Sequence, residues 1–183
     1  MEKQPFLTDI QTIRRRAREH IEHGAITAGY QADRDAVIKL LNEALATEIV
    51  CVLRYKRHYF MASGIHAEPV ATEFLEHATV EQTHADQLAT RITELNGEPD
   101  LNPQGLLTRS HSEYVPGRTL VDMIREDLVA ERIAIESYAE MARYFGDRDP
   151  TSRRLMEEIL AKEEEHAADL SRLLEQLEPA AKG

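Results

Sequence analysis

Four stretches of this chain carry apolar residues at helical period, and each is interrupted near its middle by a glutamate on the apolar side. The glutamates are Glu48, Glu81, Glu131 and Glu163, and the second and fourth each open a Glu-x-x-His sequence that ends at His84 and His166. The arrangement repeats, since 33 positions separate Glu48 from Glu81 and 32 separate Glu131 from Glu163. Residues three apart lie on one face of an α-helix, so each Glu-x-x-His can aim a carboxylate and an imidazole at one point. Two such helices, with two more that bring a lone Glu, make the six-ligand set of a dinuclear carboxylate metal site inside a helical bundle.

Caps and breakers bound the helices. The first long helix is expected from Arg34 to Ser63, with Asp33 as N-cap, Gly64 as stop, and Leu41, Ala44, Val52, Tyr55 and Tyr59 on its stripe. The second is expected from Val70 to Asn96, between Pro69 and Gly97, with Val70, Phe74, Ala78, Ala85, Leu88 and Ile92. The third spans Thr119 to Phe145 and closes at Gly146, carrying Leu120, Ile124, Leu128, Ile135 and Tyr138. The fourth opens with Asp149 as N-cap and Pro150 at the first helical position, and carries Leu155, Ile159, Leu170, Leu173 and Leu177.

In a chain with 33 Asp and Glu, most helical glutamates are solvated, and Glu43, Glu73, Glu94, Glu126, Glu140, Glu157 and Glu164 read that way. Four carboxylates on buried stripes are a different matter, because an ion removed from water without a partner is costly or becomes neutral. Two divalent cations would offset four negative charges. The competing reading is a satisfied polar network without metal.

A length of 183 residues suits one core of four long helices. The expected division is an N-terminal segment over 1–32 with a short amphipathic helix, the bundle over 33–178, and a tail over 179–183. The 22 residues from Gly97 to Arg118 can span roughly 70 Å when extended, more than the roughly 40 to 45 Å of one of these helices. This segment therefore crosses the bundle end to end, so that the third helix runs parallel to the second, while the short joints make the other neighbours antiparallel. The fold class is all-α, a four-helix bundle with one long crossover and a short extra N-terminal helix.

No apolar run approaches the length of a membrane helix, and the N-terminus, with Glu2, Lys3 and Asp9, lacks a signal-peptide profile, so a cytoplasmic protein with no membrane partner is expected. The single cysteine, Cys51, has no internal partner and reads as a buried inert thiol. Arg14, Arg15, Arg16 and Arg18 could serve a nucleic-acid arm, yet residues 1–32 carry only +1 (five Lys/Arg, four Asp/Glu) and leave −12 of the total −11 on the rest. An acidic body repels phosphate, so DNA is not an expected partner, and the short helix is expected to cover the bundle or make an oligomer contact.

Leu41-Asn42-Glu43-Ala44-Leu45-Ala46-Thr47-Glu48 and Glu158-Ile159-Leu160-Ala161-Lys162-Glu163-Glu164-Glu165-His166, together with the six-residue set, resemble bacterioferritin helices. From about residue 34 to 177 the chain is similar to ferritin-like proteins, bacterioferritins and Dps-like miniferritins. The resemblance implies a ferritin-like bundle in which Glu48, Glu81, His84, Glu131, Glu163 and His166 are ferroxidase ligands, with Glu81 and Glu163 as bridges. It also implies two Fe per subunit, with Mn or Zn as substitutes, oxidation of Fe(II) by O2 or H2O2, and Fe(III) stored in a homo-oligomeric shell. By the same resemblance Tyr55 stands close to the metals, although a plain core aromatic is an equal reading. His58 matches a position where some bacterioferritins place an inner-surface histidine, or it is simply a surface residue.

Two departures matter. Gln82 stands where bacterioferritins place the haem-ligating methionine, so haem is not expected. The chain ends soon after the fourth helix, without the fifth helix of 24-subunit cages, which points to a twelve-subunit shell. The cysteine pair common in Dps-like miniferritins is also missing. A di-manganese catalase or peroxidase-type di-metal enzyme remains the alternative, although a rubrerythrin-like peroxidase lacks its Cys-x-x-Cys pairs here. A DNA-protecting shell is the alternative of another class.

Overall fold

The computed structural model describes residues 8–177. Its helices are α1 (Ile10–Arg16), α2 (Arg34–Met61), α3 (Ala67–Glu94), α4 (Leu106–Arg109), α5 (Leu120–Phe145) and α6 (Pro150–Leu177), with a 3-10 turn over Ile21–His23. Among the described residues no strand occurs. The four long helices are the four expected ones, with ends shifted by a few residues.

Local chemistry sets those ends. Asp33 caps α2 by accepting from the Ala36 amide. The third residue of α3 is Pro69, where its missing N–H costs no intrahelical bond, so the helix begins earlier than Val70. Thr119 is the cap of α5 rather than its first residue, and it forms a reciprocal box with Asp122 at 3.1 Å in both directions. Asp149 caps α6 through the Ser152 amide at 2.9 Å, and it also receives Arg91 of α3 and the Tyr30 hydroxyl.

The short helix expected in the N-terminal segment is confined to Ile10–Arg16. The seven-residue α1 buries nothing, and His20 takes a left-handed conformation with φ 52° that breaks the run. A helix this short has no tertiary contact to offset its nucleation cost. The segment after it does pack, with Ile26, Tyr30 and Ala32 lying against the core.

α2 pairs with α3 and α5 pairs with α6, and the two hairpins face each other. Tyr138 meets Glu48 while Asp127 meets Arg54, so α2 and α5 are antiparallel. Arg91 meets Ser152 while His77 stacks on His166, so α3 and α6 are antiparallel as well. It follows that α3 and α5 run parallel, and the segment between them crosses the bundle.

That crossover is held along α2 in register. Asn42 bonds Glu98 and Asp100, and Thr47 accepts from the His111 amide. Arg54 reaches Ser112 and the Glu113 carbonyl, and Arg57 and His58 both reach the Pro116 carbonyl. The crossover then turns into α5 at Gly117, with φ 59°, where a Cβ would stand 2.9 Å from the Met123 amide nitrogen.

Two apolar clusters fill the bundle. One contains Leu41, Leu45, Leu88, Ile92, Phe145, Met156 and Ile159, and the other contains Tyr55, Val70, Phe74, Ile124 and Leu170. Each fully buried Leu, Ile or Phe contributes about 1.5–3 kcal/mol. Between the clusters the interior turns polar.

Candidate metal centre

The polar layer consists of the six residues singled out in the sequence. Glu48 on α2, Glu81 and His84 on α3, Glu131 on α5, and Glu163 and His166 on α6 are all 1–4 % exposed. They fall into two overlapping groups, Glu48 with Glu81, His84 and Glu163, and Glu81 with Glu131, Glu163 and His166. Within each group the ligand atoms lie within 4.8 Å of one another. Glu81 and Glu163 belong to both.

The shared carboxylates divide their oxygens between the two halves. Glu81 places Oε2 3.1 Å from His84 Nδ1 and Oε1 3.1 Å from His166 Nδ1. Glu163 places Oε1 3.0 Å from His84 Nδ1 and Oε2 3.4 Å from His166 Nδ1. Glu48 flanks His84 at 3.4 Å, and Glu131 flanks His166 at 3.9 Å. Two cation positions with two bridging and two terminal carboxylates fit this set, one imidazole to each position.

The electrostatics of the metal-free arrangement agree with that fit. Burial, followed by the charges of Glu81 and Glu163, pushes Glu48 and Glu131 well above the usual carboxylate range. Burial would raise Glu81 as well, but bonds from His166 and His84 outweigh it and draw Glu81 down. Burial would lower His84, yet Glu163, Glu48 and Glu81 push it up to about 12. His166, buried but facing Glu163 and Glu81, rises to about 9. Protons thus neutralise a pocket built of anions. Glu48 Oε2 and Glu163 Oε1 are buried without a hydrogen bond, although His84 stands within ion-pair distance of both. Orphaned carboxylate oxygens converging on one space are what a cation would satisfy.

Three residues beyond the six touch this layer. The Tyr55 hydroxyl donates to Glu131 Oε1, so Tyr55 stands at the centre as well as in the core. Tyr138 makes the matching bond to Glu48 Oε1, and it had read only as a core aromatic. Its signal was present in the spacing, since Tyr55 follows Glu48 by seven positions and Tyr138 follows Glu131 by seven. His77 was overlooked altogether. It is 4 % exposed, its Nδ1 is 3.1 Å from the Tyr55 hydroxyl and its ring stacks on His166. Its position four residues before Glu81, on the same helical face, was the available clue. Burial, followed by His166, lowers His77 to about 4.

His58 requires a correction, because it is neither an inner-surface nor an exposed residue. It is fully buried, with Nδ1 2.8 Å from Asp127 and Nε2 3.0 Å from the Pro116 carbonyl, and it pins the crossover. Cys51 is buried as expected, and burial pushes its thiol far up, out of the reactive range. Among the described residues no helix is long and apolar enough to cross a membrane.

The chain is similar to known proteins. A bacterioferritin of Desulfovibrio desulfuricans is 29 % identical over 141 residues, covering 76 % of this chain and 75 % of its own. The DNA protection during starvation protein of Pyrococcus furiosus is 32 % identical over 146 residues, 78 % of each chain. Among solved structures, the bacterioferritin-related protein of Bacteroides fragilis, a dodecameric thioferritin, superposes with a TM-score of 0.77 at 32 % identity, over 80 % of this chain and 89 % of that one. The ferritin-like domain family matches residues 38–180, a span that takes in most of α2, the whole of α3, α5 and α6 and every side chain of the polar layer, and the chain belongs to that family.

Proposed function

We propose that this protein is a ferroxidase and iron-storage protein that binds two Fe(II) per chain at the buried centre, oxidises them with O2 or H2O2, and stores Fe(III) inside a shell of identical copies. The observation that carries this reading is the division of Glu81 and Glu163, each with one oxygen toward His84 and the other toward His166. Glu48 and His84 would hold one ion and Glu131 and His166 the other, with Glu81 and Glu163 between them. The bound pair supplies two electrons, enough to reduce O2 to H2O2 or H2O2 to water with protons from the medium. Tyr138 and Tyr55 steer the terminal carboxylates, and the enclosing apolar clusters limit water. Mn or Zn would occupy the same oxygen and nitrogen donors, and Gln82 offers no axial ligand for haem.

Exposed apolar side chains support a shell, among them Phe60 at 78 %, Ile65 at 94 % and Val129 at 50 %. The dodecameric relative favours twelve subunits. A net charge of −11 favours cations over nucleic acid and weighs against the DNA protection for which the Pyrococcus relative is named. A cytoplasmic setting and a bundle over residues 33–178 belong to the same reading.

Stepwise addition of Fe(II) to the metal-free protein in air tests it, with soluble iron counted per chain. Uptake far beyond two per chain is expected. Saturation at two would leave a di-iron enzyme without storage, and no retention would sink the reading.

A further inference from the structure

On the side of His77 the polar layer continues to the surface. His77 has its Nδ1 on Tyr55, and its other nitrogen, Nε2, lies 3.3 Å from Glu73 Oε1. Ligand atoms of Glu73, His77 and Asp169 all lie within 4.8 Å of one another. The Glu73 and Asp169 side chains are 30 % and 23 % exposed, whereas His77 is buried, so the group runs from solvent to interior. His77 also stands within the same ligand reach of Glu131 and His166. It is therefore common to an outer and an inner group.

The spacing of the outer group suits a cation, and its hydrogen bonds are compatible with one. With Glu131 ionised as a ligand, the Tyr55 hydroxyl gives its one proton to Glu131 and can only accept from His77, which puts the ring proton on Nδ1. In a neutral ring Nε2 then turns a lone pair toward a Glu73 oxygen, and two acceptors face each other. A metal ion ligated by both removes that conflict, and the Tyr55 bond fixes the imidazole as such a ligand requires. Asp169 Oδ1 accepts from Arg172, and the carboxylate has a second oxygen to offer an ion.

The internal repeat shows that the fold does not need these residues. The relation of Glu81 to Glu163 pairs His77 with Ile159 and Glu73 with Leu155, and the relation of His84 to His166 pairs Asp169 with Gln87. The other half thus builds the same helix face from two aliphatic residues and an amide, with Ile159 in the core. The polar set is an addition to one side of a symmetric scaffold.

We propose that Glu73, His77 and Asp169 form a third site for a divalent first-row metal ion, Fe(II) in the working protein, which passes the ion inward to the position of Glu131 and His166. This rests on the dinuclear reading above. The test uses Zn(II), which is redox-inert, with anomalous diffraction from crystals of the wild type and of a Glu73→Ala/Asp169→Ala variant. Three zinc positions per chain are expected in the wild type and two in the variant. First-turnover Fe(II) oxidation by the variant should slow about 10-fold as the anionic inlet is lost. Absence of the outer zinc from the wild type, or its persistence in the variant, overturns the site. An unchanged first-turnover rate overturns the transfer. Failure of the dinuclear reading is distinguishable, because the two central zinc positions would then be missing whatever happens at the outer one.

Discussion

The Tyr138 hydroxyl on α5 donates to Glu48 on α2, ninety positions away in the chain, and Tyr55 on α2 returns the bond to Glu131 on α5. Each tyrosine follows the glutamate of its own helix and serves the glutamate of the other. Tyr138→Phe leaves Glu48, whose Oε2 already lacks a hydrogen bond, with none on Oε1. Zn(II) affinity measured by calorimetry should weaken about 10-fold. Tyr55→Phe should cost more, because it also releases His77. Unchanged affinity in both variants would mean that the tyrosines only fill space.

Glu48→Gln separates stability from chemistry. In the metal-free protein burial and its anionic neighbours push Glu48 well above the usual carboxylate range, and glutamine has the same shape with nothing to ionise. The metal-free variant should melt at an equal temperature or a few degrees higher. Its Fe(II) oxidation should fall by about 100-fold. A lower melting point with oxidation intact would contradict both expectations.

Metal binding should release protons, and the release sets a pH dependence. His166 is raised from 6.5 to about 9, so its contribution to metal-free stability is fully present below pH 6.5 and lost as pH rises through 9. His84, raised to about 12, keeps its contribution across that window. Between pH 6.5 and 9 the metal-free protein should lose thermal stability, while the increase in melting temperature brought by Zn(II) grows. Thermal melts with and without zinc across this range would show it. An increment that stays flat with pH would mean that no proton leaves His166 on binding.

Asp127 holds Arg54 and His58 at 2.8 Å each, all three within the interior. Asp127→Asn strands a buried guanidinium and should cost about 3–5 kcal/mol, or about 10 °C in melting temperature. Limited proteolysis should then cut within 110–117 faster than in the wild type. Resistance equal to the wild type would show that the crossover does not depend on this pair.

The parts of the molecule legible in the sequence were those with a period. Glu48, Glu81, Glu131 and Glu163 stood out because each interrupts an apolar stripe, and the 22-residue joint could be sized against a helix. Tyr138 was placed on the correct face but its partner was not, since a stripe position does not say which carboxylate lies opposite. Nothing in the sequence singles out Arg54 or Asp127, and His58 read as a surface residue; only the path of the crossover explains their burial. Glu73 read as solvated, and half of that is true. His77 was hidden because a single histidine on a long helix carries no period of its own.

The clasp between α2 and the crossover has one more effect. Because Asn42, Thr47, Arg54, Arg57 and His58 grip the connecting segment one after another, the α5–α6 hairpin is bound to fold back onto its own α2–α3 hairpin rather than onto a neighbour's. All six residues of the polar layer therefore come from one polypeptide. On the proposed reading, a newly made subunit would capture its first ions alone, before it has met another copy of itself.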